Sequence, residues 1–174
     1  MKHVNTNHLY LNCLKHLCQT PISMNFSPST INRFLLFKLP AAFFCGVRVK
    51  TLADDFCEVH VTFRWINQNP FGSMYFAVLN MAAELTTGVL VMRALSETGT
   101  RASMLVIGQQ THFLKKATGT ITFKCEQQQL VADCLKALSL SKDPQTLTLE
   151  SEGYNEQGEL VARSEFYWSL KQRA

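Results

Sequence analysis

The sequence predicts an α+β domain in which a mostly antiparallel sheet wraps around one long central helix. Three observations carry this. Residues 72–92 hold a single charge, Glu84, in an otherwise apolar run, the pattern of a helix buried on most sides. Around that run lie segments of strict alternation. In "CEVHVTFRW", Cys57, Val59, Val61, Phe63 and Trp65 share one face, and Glu58, His60, Thr62 and Arg64 the other, as in a half-buried antiparallel strand. No internal repeat or low-complexity segment divides the 174 residues, enough for one domain with a real core.

Residues 1–23 are expected to be a poorly packed extension, and residues 24–174 a single domain; Lys2 is followed by no continuous apolar region and no small-residue cleavage site. Ser27-Pro28 is a helix N-cap followed by Pro in the first turn. Ile31, Phe34, Leu35 and Leu39 recur at helical spacing until Pro40, which predicts a helix over 28–38. "CGVRVKTL" alternates Val47 and Val49 with Arg48 and Lys50, a first strand, and Ala53-Asp54-Asp55 turns the chain into the second. "NQNPFGS" is a loop, the central helix is expected over 72–95, and "SETGTR" is a second loop.

"MLVIGQQTHFL" is a strand with a bulge at Gly108, "KKATG" a turn, and "TITFKCE" another alternating strand. Leu130, Val131, Cys134, Leu135 and Leu138 have helical spacing, a small helix over 127–139. "TLTLESEGY" and "LVARSEFYWSL" are the last two strands, joined by a turn at 155–158.

Composition narrows the function. A hydrophobic fraction of 47% excludes a disordered or fibrous chain. The first fifty residues hold Lys2, Lys15, Arg33, Lys38, Arg48 and Lys50 and no acid, either a solvated basic face or one that meets an anionic partner. No aromatic-interleaved basic motif is present, so no nucleic-acid partner is expected. Cysteines 13, 18, 45, 57, 125 and 134 form no C-x-x-C pair and no zinc-type spacing with His; they read as reduced thiols of a cytoplasmic protein, with no metal. The central run is long enough to cross a membrane. Ser73, Asn80, Glu84, Thr86 and Thr87 within it, and the amphipathic strands around it, argue against a span.

Ser73, Ala77, Asn80 and Glu84 follow one another at three or four residues, Thr87 and Gly88 lie three and four beyond Glu84, and the six form one small, polar stripe along the central helix. Such a stripe either admits another backbone closely or lines a groove. Glu84, near its middle, is either a core carboxylate satisfied by a neighbour such as Asn80 or a base whose pKa an apolar setting raises. At the helix start, Asn69, Gly72 and Ser73 either cap the helix or leave backbone N–H groups facing a developing negative charge. The two ends work on one substrate only if a partner subunit brings them together.

Asn69, Gly72 and Glu84, with "THFLKKATG" from Thr111 and "GELVARSEFYW" from Gly158, resemble the hotdog-fold acyl-CoA thioesterases, most closely the PaaI-like group and a thioesterase-like branch of unknown function. The resemblance covers about residues 27–170. The family has a His-Gly pair where this chain has Tyr75-Phe76, so the imidazole is lost and Phe76 narrows the approach.

The resemblance implies hydrolysis of an acyl thioester, acyl-CoA or acyl-carrier protein, with no cofactor beyond coenzyme A as part of the substrate. Glu84 acts as general base or nucleophile, and the backbone N–H groups near Tyr75 and Phe76 hold the oxyanion. Asn69, Asn80 and Thr87 position substrate or water, Phe113 shapes the pocket, and Lys115 and Lys116 meet the phosphates of coenzyme A. A homodimer or dimer of dimers is implied. The alternative is a non-catalytic hotdog module binding acyl groups or a protein partner. A hotdog dehydratase would need His60 or His112 beside the carboxylate; both read as residues on polar faces.

Overall fold

The computed structural model describes residues 26–141 and 143–173, so the extension expected over 1–23 lies outside the described residues. Helix α1 (Pro28–Lys38) is capped by Ser27, whose side chain accepts from the Thr30 N–H. Pro40 ends that helix as expected. It also opens a second one, α2 (Pro40–Phe44), because proline at the first helical position lacks only an N–H that would have no partner there.

Strands β1 (Arg48–Leu52), β2 (Cys57–Thr62), β3 (Ala102–Phe113), β4 (Thr120–Cys125), β5 (Gln145–Tyr154) and β6 (Leu160–Gln172) form one antiparallel sheet in the order β1-β2-β4-β5-β6-β3. The sheet wraps around α3 (Phe76–Glu97), which packs against β2, β4, β5 and β6. This is the hotdog arrangement. Helix α4 (Gln128–Leu140), between β4 and β5, buries Val131, Leu135 and Leu138 beside α3.

By length and composition α3 is apolar enough to cross a membrane, but it is mostly buried inside this sheet, as a core helix is. Thr86 ties it to the sheet by donating to Ser151 Oγ at 2.8 Å, and the Arg93 guanidinium ties it to the 53–54 turn through the carbonyls of Ala53 and Asp54. The register of β3 against β6 shifts between Val106 and Gly108, the bulge expected there.

Two expectations fail near the start of α3. Trp65 does not continue the buried face of β2. The strand ends at Thr62, the chain enters a 3-10 turn (Trp65–Asn67), and Trp65 is 82% exposed. The helix begins at Phe76, not at 72, because the side chain of Asn69 folds the preceding loop. Asn69 Oδ1 accepts from the N–H groups of Phe71 (2.9 Å) and Ser73 (3.3 Å), while Gly72 turns at φ 71°.

The two sheet edges differ. Asn32 of α1 presents its amide to β1 as a strand would, donating to the Val49 carbonyl (3.0 Å) and accepting from the Val49 N–H (2.9 Å). Among the described residues strand β3 pairs only with β6. Its other edge is open among the described residues and carries Leu105 and Ile107, 63% and 56% exposed.

Candidate functional site

Glu84 lies in the wall of a pocket of about 270 Å³, with Met81 and Leu85 of α3 on one side and Lys38, Leu39, Pro40, Ala41 and Ala42 of the α1–α2 elbow on the other. Its carboxyl group is largely buried and makes no hydrogen bond or ion pair among the described residues. Burial therefore pushes its pKa above the ordinary glutamate value, with nothing opposing. Gly88, one turn on, leaves room for it: a Cβ there would sit 3.3 Å from Glu84 Oε1.

Asn80 is not the partner of Glu84. Its Oδ1 faces Thr111 Oγ1 of β3 at 3.1 Å, and that hydroxyl also lies 3.0 Å from Ser164 Oγ of β6. Thr87 is fully buried, so it does not reach a substrate. It donates to the Glu84 carbonyl (2.8 Å) and accepts from Trp168 Nε1 (3.1 Å), fixing this turn of α3 to β6. Thr87→Val should leave the indole N–H without its acceptor and cost about 1–3 kcal/mol. Denaturant unfolding measures this, and an unchanged midpoint would mean the indole finds another acceptor.

The helix start is the second half of the site. The Tyr75 N–H is taken by the Asn67 carbonyl at 2.8 Å, so it is not an oxyanion donor in this conformation. Tyr75 is the N-cap and makes no side-chain cap bond. The N–H groups of Phe76 and Ala77 have no partner among the described residues, and they carry the positive end of the helix dipole. Tyr75 and Phe76 pack edge-to-face at 4.9 Å, and Phe76 meets Phe113 of β3 at 6.0 Å, so three aromatic rings collar this end.

Asn69 and Gly72 shape the loop just before the collar. The amide of Asn69 also donates to Ser73 Oγ and the Met74 carbonyl, so its polar atoms are spent inside the loop. Lys116 Nζ lies 3.4 Å from the Phe71 carbonyl, and Lys115 is held by Glu159 at 2.6 Å.

Within one chain the two halves stay apart. Phe76 and Glu84 are eight residues apart on one helix, about 12 Å at 1.5 Å per residue. No histidine among the described residues lines the Glu84 pocket. His112 is exposed and contacts Gln110. His60 lies across from Arg48 of β1; its Nδ1 is buried without a partner among the described residues, and burial, then Lys50, Arg48 and Arg64, hold its pKa down. Cys57 and Cys125 face each other across β2 and β4 as free buried thiols, pushed up to about 12 and about 11 mainly by burial, which leaves them inert.

Two features escaped the sequence reading. Asn67 is buried and fully used: its amide donates to the carbonyls of Cys45 and Thr62, its Oδ1 accepts from the Arg64 N–H, and its carbonyl receives the Tyr75 N–H. Its only signal was an asparagine in the loop "NQN". The elbow opposite Glu84 gave no signal, because residues 38–42 lie more than forty positions upstream of it.

A family model described as a domain of unknown function (DUF4442) matches residues 28–170. Among solved structures, the chain is similar to a protein of unknown function from Pseudomonas aeruginosa described as a probable thioesterase (23% identity, 84% of this chain and 97% of that one, TM-score 0.72). It is also similar to a protein of unknown function from Chlorobaculum tepidum (14%, 84% and 98%, TM-score 0.73) and to a thioesterase from Haemophilus influenzae (14%, 86% and 93%, TM-score 0.65). At these identities the likeness is one of fold. No curated protein matches the chain.

Proposed function

The chain belongs to the DUF4442 family, and from the setting of Glu84 we propose that it hydrolyses an acyl thioester of coenzyme A or an acyl-carrier protein. The observation that carries this reading is a largely buried carboxylate with a raised pKa and no partner among the described residues, in the wall of an apolar pocket. Two proteins of similar fold, a probable thioesterase and a thioesterase, support it.

In the reaction Glu84 takes a proton from water as the water oxygen attacks the thioester carbonyl. The Phe76 and Ala77 N–H groups of a second subunit receive the developing oxyanion, the C–S bond breaks, and the proton passes to the leaving sulfur. In the covalent variant the Glu84 carboxylate attacks the carbonyl first, the C–S bond breaks and the thiolate leaves to take a proton from water, and a second water then cleaves the anhydride to free acid and the Glu84 carboxylate. Lys116 is the better placed cation for the phosphates of coenzyme A, since Lys115 is already paired. Thiol release from a panel of acyl-CoA substrates tests the reading; no release from any of them would leave the non-catalytic alternative, which the Tyr75–Phe76–Phe113 collar and the engaged Tyr75 N–H favour.

The second subunit is part of the proposal, because one chain keeps donors and carboxylate about 12 Å apart. The open, apolar edge of β3 is where it would pair. Ile107→Glu should therefore give a monomer in light scattering and reduce hydrolysis to background. A monomeric wild type with full activity would overturn the shared site.

A further inference from the structure

We propose that the pocket between the α1–α2 elbow and α3 receives the acyl chain, and that Ala41 and Met81 limit that chain to medium length; the ligand class rests on the thioester reading. Five of the eight lining residues are Leu39, Ala41, Ala42, Met81 and Leu85, and Pro40 is a sixth apolar one. The polar exceptions are the exposed Lys38 and Glu84 itself. An apolar recess with one unpartnered carboxylate in its wall suits a ligand with an apolar tail and one reacting polar group.

The elbow is held by hydrogen bonds of its own backbone. Leu39 donates to the Leu35 carbonyl (2.9 Å), Phe43 to Leu39 (3.1 Å) and Val47 to Ala42 (3.0 Å), and Pro40 fixes its own φ. Opposite it, the turn of α3 that carries Glu84 is pinned by the Thr87–Trp168 bond. Both walls are therefore preformed. The space is open because the elbow offers two alanines where larger side chains would close it.

Size sets the chain. At about 30 Å³ for each water-sized group, 270 Å³ holds roughly nine groups. A chain of roughly six to ten carbons therefore fits within the recess, and a hexadecanoyl chain would run on past its open side.

The test uses the full chain with acetyl-, octanoyl- and hexadecanoyl-CoA, and calorimetric binding of the matching S-alkyl-CoA thioethers, which cannot be hydrolysed. Octanoyl should lead in the wild type. Ala41→Phe, at an exposed position, should lower the octanoyl-to-acetyl ratio of kcat/KM about tenfold, the worth of about two buried methylenes. Met81→Ala, on the facing wall, should raise the hexadecanoyl-to-octanoyl ratio by a similar factor.

If thioesters are hydrolysed but neither variant moves these ratios, the pocket assignment falls and the thioesterase reading stands. If nothing is hydrolysed but S-octyl-CoA binds more tightly than S-ethyl-CoA, and Ala41→Phe removes that preference, the pocket stands and catalysis falls. Absence of both hydrolysis and binding overturns both.

Discussion

Glu84→Gln should lower kcat for thioester hydrolysis by about 10²–10⁴-fold, the usual worth of a positioned acid–base group, while the protein stays folded. Glutamine keeps the shape and loses the ability to take a proton or attack a carbonyl. The variant also reports on stability. Burial raises the folded pKa of Glu84 above its unfolded value, so the folded state binds its proton more tightly. The stability this contributes is complete below the unfolded pKa of about 4.3 and is lost as pH rises through the raised folded value.

Wild type should therefore lose stability across that window, and Glu84→Gln should show less of that loss and be at least as stable at neutral pH. Denaturant midpoints of the two proteins over a pH series measure the difference. Parallel curves would mean that the carboxylate is solvated in solution. Hydrolysis by Glu84→Gln at the wild-type rate would remove Glu84 from the reaction.

Gly153→Val should destabilise the fold by about 3 kcal/mol or more, at the upper end for overpacked cores. Gly153 pairs with Phe123 across β4 and β5, and a Cβ there would lie 2.5, 2.7 and 2.9 Å from three carbons of the Phe123 ring. Phe123 is fully buried and surrounded by the core, so the ring has little space to move into. Phe123→Leu should recover part of the loss, since it removes the two closest atoms in conflict, Cε1 and Cζ, and a double-mutant cycle should then show strong coupling between the two sites. Additive effects would place the cost of Gly153→Val elsewhere.

These two residues mark how far the sequence could be read. Glu84 was visible because one charge in a long apolar run breaks a strong pattern, and because its spacing from Asn69 and Gly72 carries a family resemblance. Gly153 was not, because a glycine in a strand has several meanings and its reason here is a ring on the neighbouring strand. The helix start was misplaced for a similar cause. Residues 72–75 are compatible with helix locally, but Asn69 hydrogen-bonds the loop into a turn and Asn67 takes the Tyr75 N–H.

Thr87 matched the polar stripe by spacing, yet its hydroxyl meets Trp168, a partner eighty-one residues away. Periodicity assigns a face and not the neighbour that covers it.

What the sequence by itself determined is the order of the strands and of the three longer helices and most of the faces they bury, because 3.6-residue and two-residue periodicity are properties of the local chain. It also determined the placing of one carboxylate on the central helix. Only the tertiary structure decided that Asn80 and Thr87 are held by β3 and β6 and that the Tyr75 N–H is engaged. It also decided that the elbow at 38–42 faces Glu84. Those facts depend on which distant segments meet, and contacts of that kind are set by packing of the whole sheet around the helix, not by any stretch of the chain read alone.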